Sequence, residues 1–213
     1  MTIDVLKDLR DKFGPARDQG SRPTCLACAA SDVHASFRSA PFVSLSAEYL
    51  FFNAVQRCNP ADPDRPVNLR TIEASLRLDG QPIETDCPYL VTTPDSSWKP
   101  PQGLTVFRQT LSAKSNSVGS ITALLNNDSP ALLCITISEE FYRPDGRGVV
   151  AHKKDDPDTA RHAVIAVAHG VSDSKTQMIL VRNSWGHAWG LNGHGWLHSA
   201  YVAQRTFSVS NIP

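Results

Sequence analysis

Cys25 follows a loop that reads Arg17-Asp18-Gln19-Gly20-Ser21-Arg22-Pro23-Thr24 and opens a segment of small residues, Cys25 to Arg38. Ala27, Ala29, Ala30 and Ala35 favour helix there, and Leu26, Val33 and Phe37 recur near helical spacing. Pro23 and Thr24 suit the entrance of such a helix, and Pro41 lies just past its exit. A cysteine at a helix N-terminus faces free backbone N–H groups and a partial positive charge of about half an electron. That environment favours thiolate, the nucleophilic form. Gln19, six residues earlier across a glycine turn, is placed to aim its side-chain amide at the same point. With the Cys25 backbone N–H it forms a two-donor site for a developing oxyanion. Taken alone, Cys25 reads equally well as a buried core thiol.

Two later segments tip that balance. His162 begins the apolar run Ala163 to Ala168, and a histidine fixed at the start of a buried strand suits a general base. His169 lies seven residues on, and strand alternation predicts that it faces the other way. The second segment, Arg182-Asn183-Ser184-Trp185-Gly186-His187-Ala188-Trp189-Gly190-Leu191-Asn192-Gly193-His194-Gly195, combines an amide, indoles and turn-forming glycines. Its glycines lack a following Lys-Ser/Thr and read as turns, not as a phosphate loop.

These three segments together resemble the papain family of cysteine peptidases. Asp18 to Ala27 is similar to the family's Asp-Gln-Gly-x-Cys-Gly-Ser-Cys-Trp-Ala loop, and His162-Ala163-Val164 to its His-Ala-Val strand. Asn183 to Gly186, then Trp189-Gly190 and Gly193-His194-Gly195, resemble its Asn-Ser-Trp-Gly, Trp-Gly and Gly-Tyr-Gly block. Leu45-Ser46 and Pro88-Tyr89 also fall where the family has these pairs. The likeness runs from about Asp4 to Val202. It implies a thiolate–imidazolium pair between Cys25 and His162, with Asn183 fixing the imidazole and Trp185 shielding that bond. It also implies Gln19 as the side-chain donor of the oxyanion hole. The implied reaction is hydrolysis of peptide amide bonds through a thioester on Cys25. Arg161 and Trp185 are the residues expected to border substrate, and the Arg161 charge is expected to favour the thiolate and disfavour the imidazolium.

The departures shape the rest. The family's second loop cysteine, usually in a disulfide, is Arg22; its Gly-Ser is Pro23-Thr24, and Leu26 follows the nucleophile. No Gly-Gly strip for the substrate backbone lies between Cys58 and Gly80, where Pro60, Pro63 and Pro66 stand instead. The segment before Cys25 matches only the family's mature leader, so no inhibitory propeptide is expected. Two rival readings use the same residues: a papain fold that is catalytically weak and serves as a binding module, and a specialised amidase, deamidase or acyl transferase. Cys25-x-x-Cys28 also matches a thiol–disulfide motif, but without the strand-first flank that such folds have.

The chain has 213 residues, 41% of them hydrophobic, which suffices for a real core. Its 21 Lys+Arg cancel its 21 Asp+Glu, so no global field draws nucleic acid or anionic membrane. Protein or peptide substrate, with an inhibitor or regulatory protein, are the expected partners. No metal or cofactor is expected, since the cysteines and histidines lack paired ligand spacing. Cys25, Cys28, Cys58, Cys87 and Cys134 are an odd, irregularly spaced set that fits reduced thiols, and the charged N-terminus lacks a signal peptide's apolar stretch. A cytoplasmic location follows as the expectation.

The elements that must hold the site divide near 91–104. Helices are predicted at 25–38, 46–56 and 69–78, with a short one within Asp4 to Phe13 that Gly14-Pro15 ends. Strands are predicted at 131–137, 163–168 and 178–181. The predicted fold is therefore α+β over residues 1–213. A helical lobe at 10–100 carries the nucleophile, a β-rich, barrel-like lobe at 104–205 carries His162 and Asn183, and the cleft lies between.

Overall fold

The computed structural model describes residues 2–38 and 41–213. The helical part comprises α1 (Cys25–Ser36), α2 (Ala47–Gln56) and α3 (Leu69–Leu78). Ser46 and Asn68 cap α2 and α3 by accepting from the Tyr49 and Thr71 backbone amides, as residues of these types do. Gly80, at φ +74, turns the chain out after α3; an added Cβ there would meet the Phe107 carbonyl oxygen at 2.6 Å.

The β part is one mainly antiparallel sheet. Its strands are β1 (Ile3–Asp8), β2 (Ser112–Lys114), β3 (Ala131–Ile137), β4 (Val149–Val150), β5 (Ala160–Ser172), β6 (Gln177–Arg182), β7 (His194–His198) and β8 (Thr206–Asn211). They run in the order β2-β8-β3-β5-β6-β7-β4, an open path, and β1 pairs with β5 off that path. Helices α4 (Val118–Asn126), α5 (Glu139–Tyr142) and α6 (Ser199–Arg205) complete the fold. One apolar cluster lies between the sheet and α1–α3, including Leu26, Leu50, Ile72, Cys134, Ala163 and Ile165. The other covers the opposite sheet face, including Ile121, Leu133, Phe141, Val164 and Tyr201.

Three expectations are corrected here. Asp4 to Phe13 does not open as a helix: Ile3–Asp8 is a strand, and only Arg10–Lys12 forms a short 3-10 turn. The edge of β5 supplies antiparallel partners from Ala168 to Ser172, and that pairing overrides the local apolar spacing. The sheet also reaches beyond 104–205 at both chain ends, because β1 and β8 belong to it. Finally, His169 does not face away from His162. The β5–β6 ladder shifts register between Ala166 and Ala168, and Val167 and Ala168 both pack in the cluster under α1–α3. The extra residue inverts the alternation. His169 Nε2 therefore meets Asn126 Oδ1 of α4 at 2.8 Å, on the side where His162 touches Phe141.

Candidate active site

Helix α1 brings Cys25 to the sheet by packing its alanine-rich flank on β5. The Cys25 thiol lies against the backbone amide of Ala163, the residue after His162, and against the amides of Leu26 and Cys25 itself. Burial pushes the thiol above its usual pKa; those three amides pull the other way. His162 is 7% exposed, and burial pushes its imidazole down to about 4, opposed by its bond to Asn183. Each group alone thus resists charging. A proton passed from Cys25 to His162 would create opposite charges together, which the amides at the sulfur and the carbonyl of Asn183 at the imidazole would both support.

Asn183 follows β6, and its Oδ1 accepts from His162 Nε2 at 2.7 Å and from the Ser184 amide at 2.8 Å. That bond commits Nε2 to carrying hydrogen and leaves Nδ1 as the imidazole's proton acceptor. Trp185 covers the pair, its ring 4.7 Å from His162 at 36°. Phe141 meets His162, Trp185 and Trp189 at centroid distances of 5.9, 5.5 and 5.0 Å. Tyr142, 42% exposed, stacks on the outer face of Trp185 at 5.3 Å and 14°. The Phe141-Tyr142 pair was readable as two adjacent aromatics but carried no motif.

Gln19 is held at every polar atom. Its backbone amide donates to the Ser184 carbonyl at 2.8 Å, its Oε1 accepts from Ser184 Oγ at 2.7 Å, and its Nε2 donates to the Arg22 carbonyl at 2.8 Å. The second Nε2 hydrogen remains for an oxyanion. Tyr89 Oη donates to the Gln19 carbonyl at 2.8 Å and so accepts from Thr24 Oγ1 at 2.7 Å. Asp18 and Trp185 form an antiparallel bridge, and the Gly186 amide donates to the Arg17 carbonyl at 2.8 Å. The loop before Cys25 and the Asn183 loop are therefore laced together.

Beneath them lies a buried charge cluster that the motifs did not reveal. Asp32, two turns after Cys25, accepts from Arg17 Nε at 2.6 Å and from Arg182 Nε at 2.8 Å. Burial alone would raise the Asp32 carboxyl, but these two guanidinium groups hold it below its ordinary value. Arg182 also donates to the carbonyls of Gly14 and Pro15, and Arg17 to Glu84 and the Leu45 carbonyl.

Arg161 is exposed, with Cζ 5.5 Å from the Phe207 ring, and the shift of His162 arises from burial and Asn183, not from the Arg161 charge. Arg22, in the disulfide position of the resembled family, is buried against Glu48 with Nη1–Oε2 at 2.5 Å. All five cysteines are free. Cys28 faces inward one turn beyond Cys25, with burial pushing it up to about 12. His34 is buried and satisfied, its Nδ1 2.9 Å from Gln81 Oε1. Among the described residues no cluster of three metal-ligating side chains occurs, and no helix is long and apolar enough to cross a membrane.

A cysteine at a helix N-terminus, an imidazole bonded to an amide and roofed by an indole, and a glutamine tied between the two loops make up the candidate site. The sequence profile of the papain family cysteine proteases matches residues 3–208, and the chain belongs to that family. The fold is similar to that of xylellain, a cysteine protease from Xylella fastidiosa, with TM-score 0.80 and 21% identity over 97% of this chain and 84% of that one. It is also similar to the digestive procathepsin L 3 of Tenebrio molitor larval midgut, with TM-score 0.74 and 15% identity over 97% and 68% of the two chains. Mouse pro-cathepsin H is 24% identical over 84% of this chain, which spans 55% of that protein's length. A cathepsin L-like peptidase of Aedes aegypti is 34% identical over 30% of this chain and 19% of its own.

The depressed His162 pKa gives a pH prediction. Below about 4 the imidazole is protonated and cannot take the Cys25 proton. Alkylation of Cys25 by iodoacetamide is expected to rise with pH through a limb near 4. The Asn183 bond raises the His162 pKa, so removing the acceptor while keeping the site buried should lower it further. Asn183→Leu is therefore expected to move the limb to lower pH. An upward shift would show that Asn183 acts on something other than the imidazolium.

Proposed function

We propose that this chain is a cysteine peptidase that hydrolyses peptide or protein amide bonds through an acyl-enzyme on Cys25. The observation that carries the reading is His162, tied to Asn183 at 2.7 Å under Trp185, directly beside the amide of Ala163 against which the Cys25 thiol rests. In this mechanism His162 Nδ1 takes the thiol proton and the sulfur adds to the amide carbonyl. The oxyanion is met by the free Gln19 Nε2 hydrogen and the Cys25 backbone N–H. His162 then protonates the leaving amine, and water, deprotonated by the same imidazole, opens the thioester. Trp185 screens the His162–Asn183 bond from water, as a low local dielectric strengthens it. Trp185 and Arg161 stand at the substrate-facing border in this reading, and five free thiols fit a reducing compartment such as the cytoplasm.

A non-catalytic binding module would have no use for so complete a set of oriented groups. The test is intact-mass analysis after exposure to an epoxysuccinyl inhibitor. One adduct is expected on the wild-type chain and none on Cys25→Ala, alongside wild-type cleavage of a denatured protein. An adduct without cleavage of any protein or peptide would favour the specialised amidase or acyl transferase. No adduct would favour a silent fold.

A further inference from the structure

Tyr89 has no part in the reaction proposed above, yet its backbone is held firmly on both sides. The Tyr89 amide donates to Glu84 Oε1 at 3.0 Å. The next residue, Leu90, is gripped by the buried Arg22–Glu48 pair. Its amide donates to Glu48 Oε2 at 3.1 Å, and its carbonyl accepts from Arg22 Nη1 at 2.6 Å. The Arg22 guanidinium also lies over the Tyr89 ring, 5.3 Å from its centroid.

From that fixed post one hydroxyl reaches both ends of the loop before Cys25. Tyr89 Oη donates to the Gln19 carbonyl at 2.8 Å; with its hydrogen so committed, it accepts from Thr24 Oγ1 at 2.7 Å. These ends bear the two donors of the proposed oxyanion site. Gln19 carries the side-chain amide, and the peptide joining Thr24 to Cys25 carries the N–H. Thr24 is the N-cap residue of α1, but its side chain does not cap the helix. A threonine there ordinarily accepts from an amide of the first turn. Here its oxygen meets the Cys28 thiol at 3.8 Å and its hydrogen goes to Tyr89. The amides of Cys25 and Leu26 are left to the Cys25 sulfur.

The bonds run one way, from the Cys28 thiol to Thr24, to Tyr89, to the Gln19 carbonyl, and each polarises the next. Burial pushes the Tyr89 hydroxyl and the Cys28 thiol each up to about 12, so both remain protonated donors at neutral pH. An oxyanion gains from two donors only if each stands about 2.7–3.1 Å from where it forms. Gly20, at φ +61, lies between Gln19 and Thr24, so a partner outside the loop that binds both ends holds their spacing.

We propose that Tyr89 is a positioning residue whose hydroxyl, by bridging Gln19 and Thr24, sets the spacing of the two oxyanion donors. It touches no substrate. The buried Arg22–Glu48 pair, which stands where a loop disulfide was expected, fixes the backbone beside it. This role rests on the peptidase reading, so one arm of its test measures oxyanion binding without turnover.

Tyr89→Phe keeps the ring and removes only the hydroxyl. Its kcat on a peptide should fall about tenfold with KM unchanged, the size of one hydrogen bond and less than the loss of a whole donor. Because the hydroxyl does not titrate there, the ratio to wild type should hold from about pH 5 to 9. Iodoacetamide alkylation of Cys25 develops no oxyanion and should keep its wild-type rate. The peptide aldehyde acetyl-leucyl-leucyl-norleucinal adds to Cys25 and places an oxygen at the donors. Its protection of Cys25 from iodoacetamide should weaken about tenfold in Tyr89→Phe. Thr24→Val removes the other half of the bridge and should act in the same direction, whereas Thr24→Ser should match wild type. In a Gln19→Ala background no spacing is left to hold, so Tyr89→Phe should add no more than about twofold.

Alkylation slowed as much as turnover, or a Tyr89→Phe loss that multiplies the Gln19→Ala loss in full, overturns the proposal. So does an aldehyde that fails to protect the wild-type thiol. If the wild type takes the aldehyde with this dependence on Tyr89 but cuts no peptide, the positioning role stands and the peptidase reading fails. If it cuts peptides and neither kcat nor protection responds to Tyr89→Phe, the peptidase reading stands and the positioning role fails.

Discussion

Cys25→Ala is expected to reduce peptide hydrolysis on the order of 10⁶-fold, the scale for removal of a nucleophile whose partners act only through it. Asn183→Ala should leave measurable turnover. Asn183 only orients His162 and is neutral, so its loss should stop short of the roughly 10⁴-fold that follows disruption of a charged orienting partner. Gln19→Ala should cost on the order of 10²-fold in turnover, as one oxyanion donor does. Iodoacetamide alkylation separates these roles, because it develops no oxyanion. It should vanish in Cys25→Ala, slow in Asn183→Ala, and change least in Gln19→Ala. The Gln19 arm has a structural complication. Its amide also ties the Ser184 hydroxyl and the Arg22 carbonyl together, so the alanine variant leaves both without that partner. Equal losses in turnover and alkylation would mean that Gln19 acts by holding the loops and not by donating to substrate. Full turnover in Cys25→Ala would end the assignment of the site.

The candidate catalytic residues were legible because each belongs to a short run whose chemistry is local. Cys25 announces itself by the helix that begins there, and His162 by the apolar strand that follows. Asn183 sits in a block of indoles and glycines with few other uses. What stayed hidden depends on distant partners. Ile3–Leu9 has Val5, Leu6 and Leu9 at spacings that fit a helix, and only the free edge of β5 makes Ile3–Asp8 a strand. The face of His169 was misread because a single bulge near Val167 reverses everything after it, and period-two reasoning contains no sign of a bulge. Helix α4 passed unnoticed since Gly119, Ser120 and Thr122 are weak helix formers; its Ser117 cap, bonded to the Ser120 amide, was the one local signal. Arg22 was read as a missing disulfide. Its replacement, a buried ion pair with Glu48 flanked by Phe51 and Tyr89, joins parts of the chain that no motif spans.

Asp32 is the extreme case, because its partners stand 15 and 150 residues away. Its carboxylate joins the nucleophile helix to Arg17, one residue before the Asp18–Trp185 bridge, and to Arg182, one residue before Asn183. Asp32→Ala is expected to destabilise the fold by roughly 3–5 kcal/mol, the cost of leaving buried charges uncompensated. The sign does not depend on whether the intact cluster is favourable overall. Arg182 is 2% exposed and cannot reach water, and the carbonyls of Gly14 and Pro15 offer it dipoles but no charge. Asp32→Asn keeps the size and one acceptor, so it should cost less while still leaving Arg182 without a carboxylate and Arg17 with Glu84 alone. Urea unfolding of the three proteins measures the difference, and alkylation of Cys25 in the folded state shows whether the site shifts with it. Because Arg182 and Asn183 are adjacent, movement of the arginine should displace His162 Nδ1 and slow alkylation even where the chain stays folded. A loss below about 1 kcal/mol for Asp32→Ala would mean that Glu84 and the carbonyls alone compensate both cations, and that Asp32 does not hold the two loops in register.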